Sequence, residues 1–286
     1  MKNYLVSVMT AVCAAASPAA ADTVFDSGKL LATGGVSQIE GAGGAGLSTW
    51  SVITGYGSRN GVGANAHYSY LDLPDFTFET VGFAAGLFDR VELSYARQYF
   101  DTGETGVVLG LGEGFEFGQD VFGAKVRLFG DAVYDQDRWY PQVAAGIQYK
   151  DAEQEAVLAA VGADDDSGVD YYLSATKLYL RHSLLLSGTV RATQANQFGL
   201  LGFDEDYSAQ FDGSAVMLLS RRWAVGADYR TKPDNLAFAD EEDAAAAYLV
   251  FFPNKGVSLT LAGVDLGEVA NQGGQAGVYF SLQVGF

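Results

Sequence analysis

From Gln275 to Phe286 the chain alternates without a break. Ala276, Val278, Phe280, Leu282, Val284 and Phe286 share one face, and Gln275, Gly277, Tyr279, Ser281, Gln283 and Gly285 share the other. One wholly apolar face opposite a small or polar one fits a strand placed between lipid and a wet interior. The pattern recurs upstream, at Leu47 to Gly57, Val62 to Leu71, Phe76 to Leu87, Arg90 to Phe100, Gln119 to Phe129 and Trp139 to Lys150. It continues at Val169 to Tyr179, Ser183 to Thr193, Tyr207 to Leu219, Arg222 to Thr231, Asp243 to Phe252 and Gly256 to Asp265. Most segments are about ten residues long, the length a tilted strand needs to cross hydrocarbon. With 36 Gly, 16 Tyr and 18 Phe but only 5 Pro, the composition suits many strands better than helices.

The connections sort by length. Short turns at Phe88-Asp89-Arg90, 180–183, Ser220-Arg221 and Pro253-Asn254-Lys255 are interleaved with long polar stretches at 101–118, 151–168, 194–206, 232–242 and 266–274. Bacterial barrels place short turns in the periplasm and long loops outside. The expected fold is an all-β, transmembrane, antiparallel up-and-down barrel of 12 to 14 strands. The segments number thirteen, and an odd count conflicts with both barrel termini lying in the periplasm. Either Lys29 to Glu40 adds a strand, giving fourteen, or Leu47 to Gly57 folds into the lumen and twelve remain.

The ends of the chain point to the same envelope. Lys2, the apolar run Tyr4 to Ala16 and the A-x-A site Ala19-Ala20-Ala21 read as a signal peptide over 1–21. Thr10-Ala11-Val12 before Cys13 is no lipidation box, and Cys13 is the single cysteine, so no thiol chemistry remains after cleavage. At the other end Val278, Phe280, Leu282, Val284 and Phe286 resemble the closing-strand signal read by the outer-membrane barrel assembly machinery. The implied location is a Gram-negative outer membrane, with lipid and lipopolysaccharide as neighbours. A formal charge of −18 leaves nothing to neutralise a nucleic-acid backbone. The chain divides into the signal peptide, a glycine-rich segment 22–46 (first strand or lumenal segment) and a barrel over 47–286.

Alternation also sorts the interior. With Trp223, Val225 and Tyr229 facing lipid, Asp228 and Arg230 point inward. The same parity turns Lys125, Arg127, Gln142, Gln148, Arg191, Gln210, Asp212 and Gln283 inward, since a charge on the lipid face costs about 2–4 kcal/mol at midplane. These residues describe a wet, pore-lining set of both signs, or a packed interior of salt bridges. His67 and Ser69 share an inward face, and a His-x-Ser pair on a barrel strand is what outer-membrane phospholipase A and lipid A deacylases use. In those enzymes the pair faces lipid and an asparagine follows the serine, where this chain has Tyr70, so the pair carries only a weak hydrolase alternative. The loop carboxylates Asp164, Asp165 and Asp166 are weak candidates for a divalent cation, without the ligand order of a calcium-binding hand. No cofactor is implied.

The run Ala32-Thr33-Gly34-Gly35-Val36-Ser37-Gln38-Ile39-Glu40-Gly41-Ala42-Gly43-Gly44-Ala45-Gly46-Leu47, leading into Trp50-Ser51-Val52-Ile53-Thr54-Gly55-Tyr56-Gly57, resembles the opening of domain-of-unknown-function family 3034. The resemblance implies a proteobacterial envelope protein and carries no catalytic residues. The glycines themselves read as backbone freedom beside a barrel wall, with no βαβ unit to make them a phosphate loop. The functional expectation is a passive channel or small-solute transport protein. The alternatives are a closed barrel that binds an envelope partner and a lipid hydrolase at His67 and Ser69. Replacing Ser69 by Ala separates the first from the last: conductance in a planar bilayer is expected to persist, whereas any lipase activity of the third reading would vanish.

Overall fold

The structure, a computed structural model, describes residues 28–236 and 241–286. The signal peptide, its cleavage site and 237–240 of the long stretch 232–242 lie outside the described residues. The barrel strands are β3 (Val62–Asp72), β4 (Thr77–Leu87), β5 (Val91–Asp101), β6 (Glu116–Phe129), β7 (Gln142–Ala152) and β8 (Ser167–Tyr179). They are followed by β9 (Leu184–Ala195), β10 (Phe203–Leu218), β11 (Trp223–Arg230), β12 (Ala244–Asn254), β13 (Val257–Asp265) and β14 (Ala276–Gly285). Each pairs antiparallel with its neighbour in sequence, and β14 closes on β3 through pairs such as Ser281↔Ser69, giving a closed transmembrane barrel of twelve strands.

Strand β4 shows why these sequences take this form. Phe78, Thr80, Gly82 and Ala84 point inward while Val81, Phe83 and Ala85 point out, so one pleat serves two environments. Outside, Phe83, Leu93, Phe122, Ile147, Val190 and Leu261 belong to an exposed apolar band. Exposed aromatics flank it: Phe88, Phe129, Tyr179 and Trp223 at the end where the barrel strands begin and finish, and Tyr149, Tyr171, Tyr207 and Tyr229 at the other. That banding is the signature of a barrel in a bilayer.

The thirteenth segment is resolved by the interior. Neither Lys29 to Glu40 nor Leu47 to Gly57 is a barrel strand. Residues 28–57 enter the lumen, where β1 (Val36–Ser37) and β2 (Gly43–Gly44) pair with each other and a single bridge joins Gly44 to Thr49. The lumenal segment thus runs beyond 46, and the barrel begins at Val62 rather than Leu47. Leu47, Trp50, Val52 and Ile53 are apolar because they pack inside the barrel, which in sequence mimics a face meant for lipid. Two connections also break the expected length pattern: 73–76 is short at the long-loop end, and 130–141 is long at the turn end, because β7 starts at Gln142 and leaves Trp139 exposed.

The glycine-dense run is close packing rather than slack. Gly41 has φ +90° with its α-carbon against β5, where a Cβ would lie 3.1 Å from the Tyr95 carbonyl oxygen. Gly55 has φ +73°, and a Cβ there would lie 2.6 Å from the Gly63 carbonyl carbon of β3, backbone that cannot give way. Gly55→Ala therefore combines a left-handed penalty of about 1–2 kcal/mol with that clash. It is expected to unseat the lumenal segment while leaving the barrel closed. Limited proteolysis should cut within 28–57 in the variant but not in the wild type, with the heat-dependent gel mobility of the barrel unchanged in both.

Candidate functional site: a plugged lumen and an apolar chamber

Residues 33–56 are buried almost throughout and form a plug. The wall holds it chiefly by its backbone. Glu92 accepts from the Gly43 and Thr54 N–H groups at 2.8 Å each, and Asp228 from those of Leu47 (3.1 Å) and Ser48 (3.4 Å). Lys125 donates to the Gly43 and Trp50 carbonyls, and Thr80 and Gln98 both donate to that of Ile39. Below this, Val36, Ala45 and Trp50 pack on Leu178, Leu185, Val216 and Phe252 around a residual void of about 20 Å³.

One plug side chain carries charge into the wall. Glu40 is fully buried; Arg230 grips both its oxygens, at 2.9 and 3.0 Å, Lys150 binds Oε1, and Arg191 stands 3.9 Å away. The three cations also face two wall carboxylates. Asp170 contacts Lys150 (2.9 Å) and Arg191 (3.0 Å), while Asp212 lies 3.2 Å from Arg191 and 3.6 Å from Arg230. Within this set the wall is one negative charge short, and Glu40 supplies it. Removing one member of such a buried set typically costs about 3–5 kcal/mol, because a charge is left uncompensated.

Of the ten residues expected to face the lumen, nine are buried; Gln210 sits half-buried near the loop-end rim, bonded to Ser208 and Thr231. Lys125, Gln142, Arg191, Asp228, Arg230 and Gln283 touch the plug directly, Gln142 through Ser51 and Gln283 through Ser37. Gln148 accepts from Arg191, Asp212 belongs to the charge network, and Arg127 pairs with Asp89 and Asp131 at the turn end. Of the two readings, the interior is therefore the packed one: the plug fills it, and apolar inward residues lie above and below the charged layer. Glu40, Glu92, Lys150 and Asp170 were missed. The last three share the inward parity that identified Arg191, so alternation could have found them; Glu40 sits in a glycine run that alternation cannot read.

Above the plug, toward the long loops, lies a cavity of about 310 Å³. Its floor is Val36, Ile39 and Leu47, and its wall includes Leu71, Phe78, Phe100, Phe117, Ala262 and Val264. Loops from four connections cover it, through Leu109 and Leu111, Val161, Phe198 to Leu201, and Leu266 to Ala270. The turn Asn196–Gly199 folds inward onto the charge set around Glu40: the Phe198 carbonyl accepts from Lys150 at 3.0 Å, and its ring lies 4.5 Å from the Arg230 guanidinium. Gln197 ties the cover together. Its N–H donates to Glu241, its Oε1 accepts from Lys232, and its Nε2 donates to the Glu268 carbonyl. The short helix Glu155–Val161 contributes Val161 to the rim.

His67 and Ser69 point inward, but no dyad forms. Ser69 Oγ is bonded to Ser281 and Tyr279, and neither imidazole nitrogen of His67 has a hydrogen-bond partner. The Asp164 and Asp165 carboxylates accept backbone N–H groups from Glu205 and Ser167, and no group of three or more metal-ligating side chains forms among the described residues. Val278, Phe280 and Phe286 are exposed on the outer face of β14, where Leu282 and Val284 are partly covered.

Burial pushes the Glu241 carboxyl up to about 7, against the pull of Lys232 3.9 Å away and of the Gln197 N–H. A raised carboxyl binds its proton more tightly in the closed cover than in the opened one. The tie is thus strongest below the ordinary carboxylate value of about 4.3 and weakens as pH climbs from there through 7. Amide exchange at 196–202, corrected for intrinsic rates, is expected to show greater protection at pH 5.5 than at pH 8; equal protection would remove Glu241 from control of the cover.

Among curated proteins no sequence match to this chain exists. The fold is similar to that of the KdgM porin, with a TM-score of 0.51 at 8% identity, covering 78% of this chain and 99% of that one. Weaker likenesses are to the NanC porin (TM-score 0.49, 10% identity, 78% of this chain and 98% of that one) and to the COG4313 outer membrane channel from Pseudomonas putida F1 (0.45, 12%, 78% and 94%). At such identities the likeness concerns the fold, which is that of outer-membrane porins. Residues 33–283 match the family model described as protein of unknown function (DUF3034), and the chain belongs to that family.

Proposed function

We propose that this protein is an outer-membrane solute-transport barrel held shut by its own N-terminal segment. The observation that carries the reading is how the plug is attached. The twelve strands close among themselves, and no plug residue joins their ladders. Withdrawing 28–57 breaks side-chain contacts, backbone bonds to side chains and the backbone bond from the Tyr56 N–H to the Phe286 carbonyl, but no strand pairing, so the barrel survives an open state. The latch is concentrated in the charge set around Glu40, where the wall's unbalanced positive charge holds the plug and the plug's carboxylate neutralises the wall.

In this reading the long-loop end faces outside, the plug gates a narrow passage, and the charged wall around Arg191, Arg230, Asp212 and Asp228 is exposed to solute only when the plug moves. Full-length protein in a planar bilayer is expected to conduct rarely, and Glu40→Ala to raise the open probability at least tenfold. Cysteines at Ser37 and Asn65, whose side-chain oxygens lie 3.3 Å apart, should form a disulfide that silences the Glu40→Ala barrel until it is reduced. A Glu40→Ala barrel that folds, shifts on boiling and stays electrically silent would overturn the gate and leave a permanently closed barrel.

A further inference from the structure

We propose that the chamber above the plug is a binding site for a neutral, apolar small molecule arriving from the outer side. The inference rests on the transport reading for the orientation of the barrel, and on the chamber alone for the chemistry of the ligand. At about 310 Å³ the cavity lies at the lower end of the roughly 300–1,000 Å³ usual for small-molecule sites. Its lining contains no charged side chain. Among its polar side chains, those of Tyr248, Tyr279, Thr102 and Gln197 are engaged. Tyr248 donates to Asp228, Tyr279 donates to Ser69, Thr102 donates to the Phe115 carbonyl, and both ends of the Gln197 amide are bonded.

A carboxylate, phosphate or sugar entering here would lose its water and find little beyond the Thr260 hydroxyl to replace it, a cost that disfavours such ligands. A hydrocarbon or aromatic group loses nothing and gains contact with four phenylalanine rings, at 76, 78, 100 and 117. The placement of these residues supports the same conclusion. Leu71, Phe78, Phe100 and Phe117 face inward near the loop ends of β3 to β6, positions where a conduit for ions or sugars would carry polar groups. The same inward rows are polar farther down, at Ser69, Thr80 and Gln98. The chamber also touches the latch. Phe198 lines it while binding Lys150 and Arg230, and Leu47 lines it while its N–H is held by Asp228. A ligand that shifts Phe198 or Leu47 therefore acts on the groups that hold the plug.

The test is saturable binding of N-phenyl-1-naphthylamine, a neutral apolar fluorophore, to the full-length barrel in nanodiscs, after subtraction of protein-free nanodiscs. The expected result is one site per barrel, with the probe displaced by decanol and at least tenfold less effectively by decanoate at pH 8. Ala262→Phe and Ala246→Phe each project a ring into the chamber, and each is expected to weaken probe binding at least tenfold. Both variants are checked for the heat-dependent gel shift, and a variant that fails to fold is set aside in favour of the other. Binding that is absent, or unchanged in a folded variant, overturns the site. Decanoate competing as well as decanol overturns the neutral ligand. Because binding is read without conduction, a silent Glu40→Ala barrel that binds the probe refutes only the gate, and a conducting barrel that does not bind refutes only the site.

Discussion

The interior of this barrel depends on one charge balance. Lys150, Arg191 and Arg230 project into a water-poor lumen and pair there with two wall carboxylates, Asp170 and Asp212, and with Glu40 of the plug. In a medium of low polarity an unpaired guanidinium is costly, so the wall without its plug must either admit water or find another anion. This makes the plug more than filler. It is bound most strongly by the part of the wall that would be exposed, charged and hydrated if the plug left.

Around that layer the lumen is divided by chemistry. On the turn side Trp50, Leu178, Leu185 and Phe252 pack as the core of a soluble domain would, leaving a void of only about 20 Å³. On the loop side the packing stops short and leaves the apolar chamber, covered by a turn whose Gln197 and Phe198 both have positive φ, at 43° and 62°. Phe198 reaches the latch from above as Glu40 reaches it from below. The two closures share Lys150 and Arg230, so a disturbance on either side is felt by the same cations.

The barrel itself was legible. Strand alternation identified all twelve membrane strands to within a few residues at either end, because each strand of a closed sheet in a bilayer meets two different solvents and must record both. Parity also placed Lys125, Arg191, Asp228 and Arg230 on the inner face. It failed at Leu47 to Gly57, where an apolar segment packed inside the barrel resembles one facing lipid. It also left the character of the lumen open, since Phe78 and Phe117 read as ordinary strand residues until the third dimension shows several such side chains converging on one space.

Sequence alone determined the class of solvent on each side of the wall, and with it the fold, the strand order and the inward parity of the charged residues. These follow from local periodicity, which a single chain displays completely. The tertiary structure decided what fills the barrel. Whether Glu40 meets Arg230, 190 residues away, and whether Ile39 and Leu47 floor a chamber with Phe100 and Ala262, depends on contacts between segments remote in sequence. No local pattern encodes them, because they arise only when the closed wall brings those side chains into one lumen.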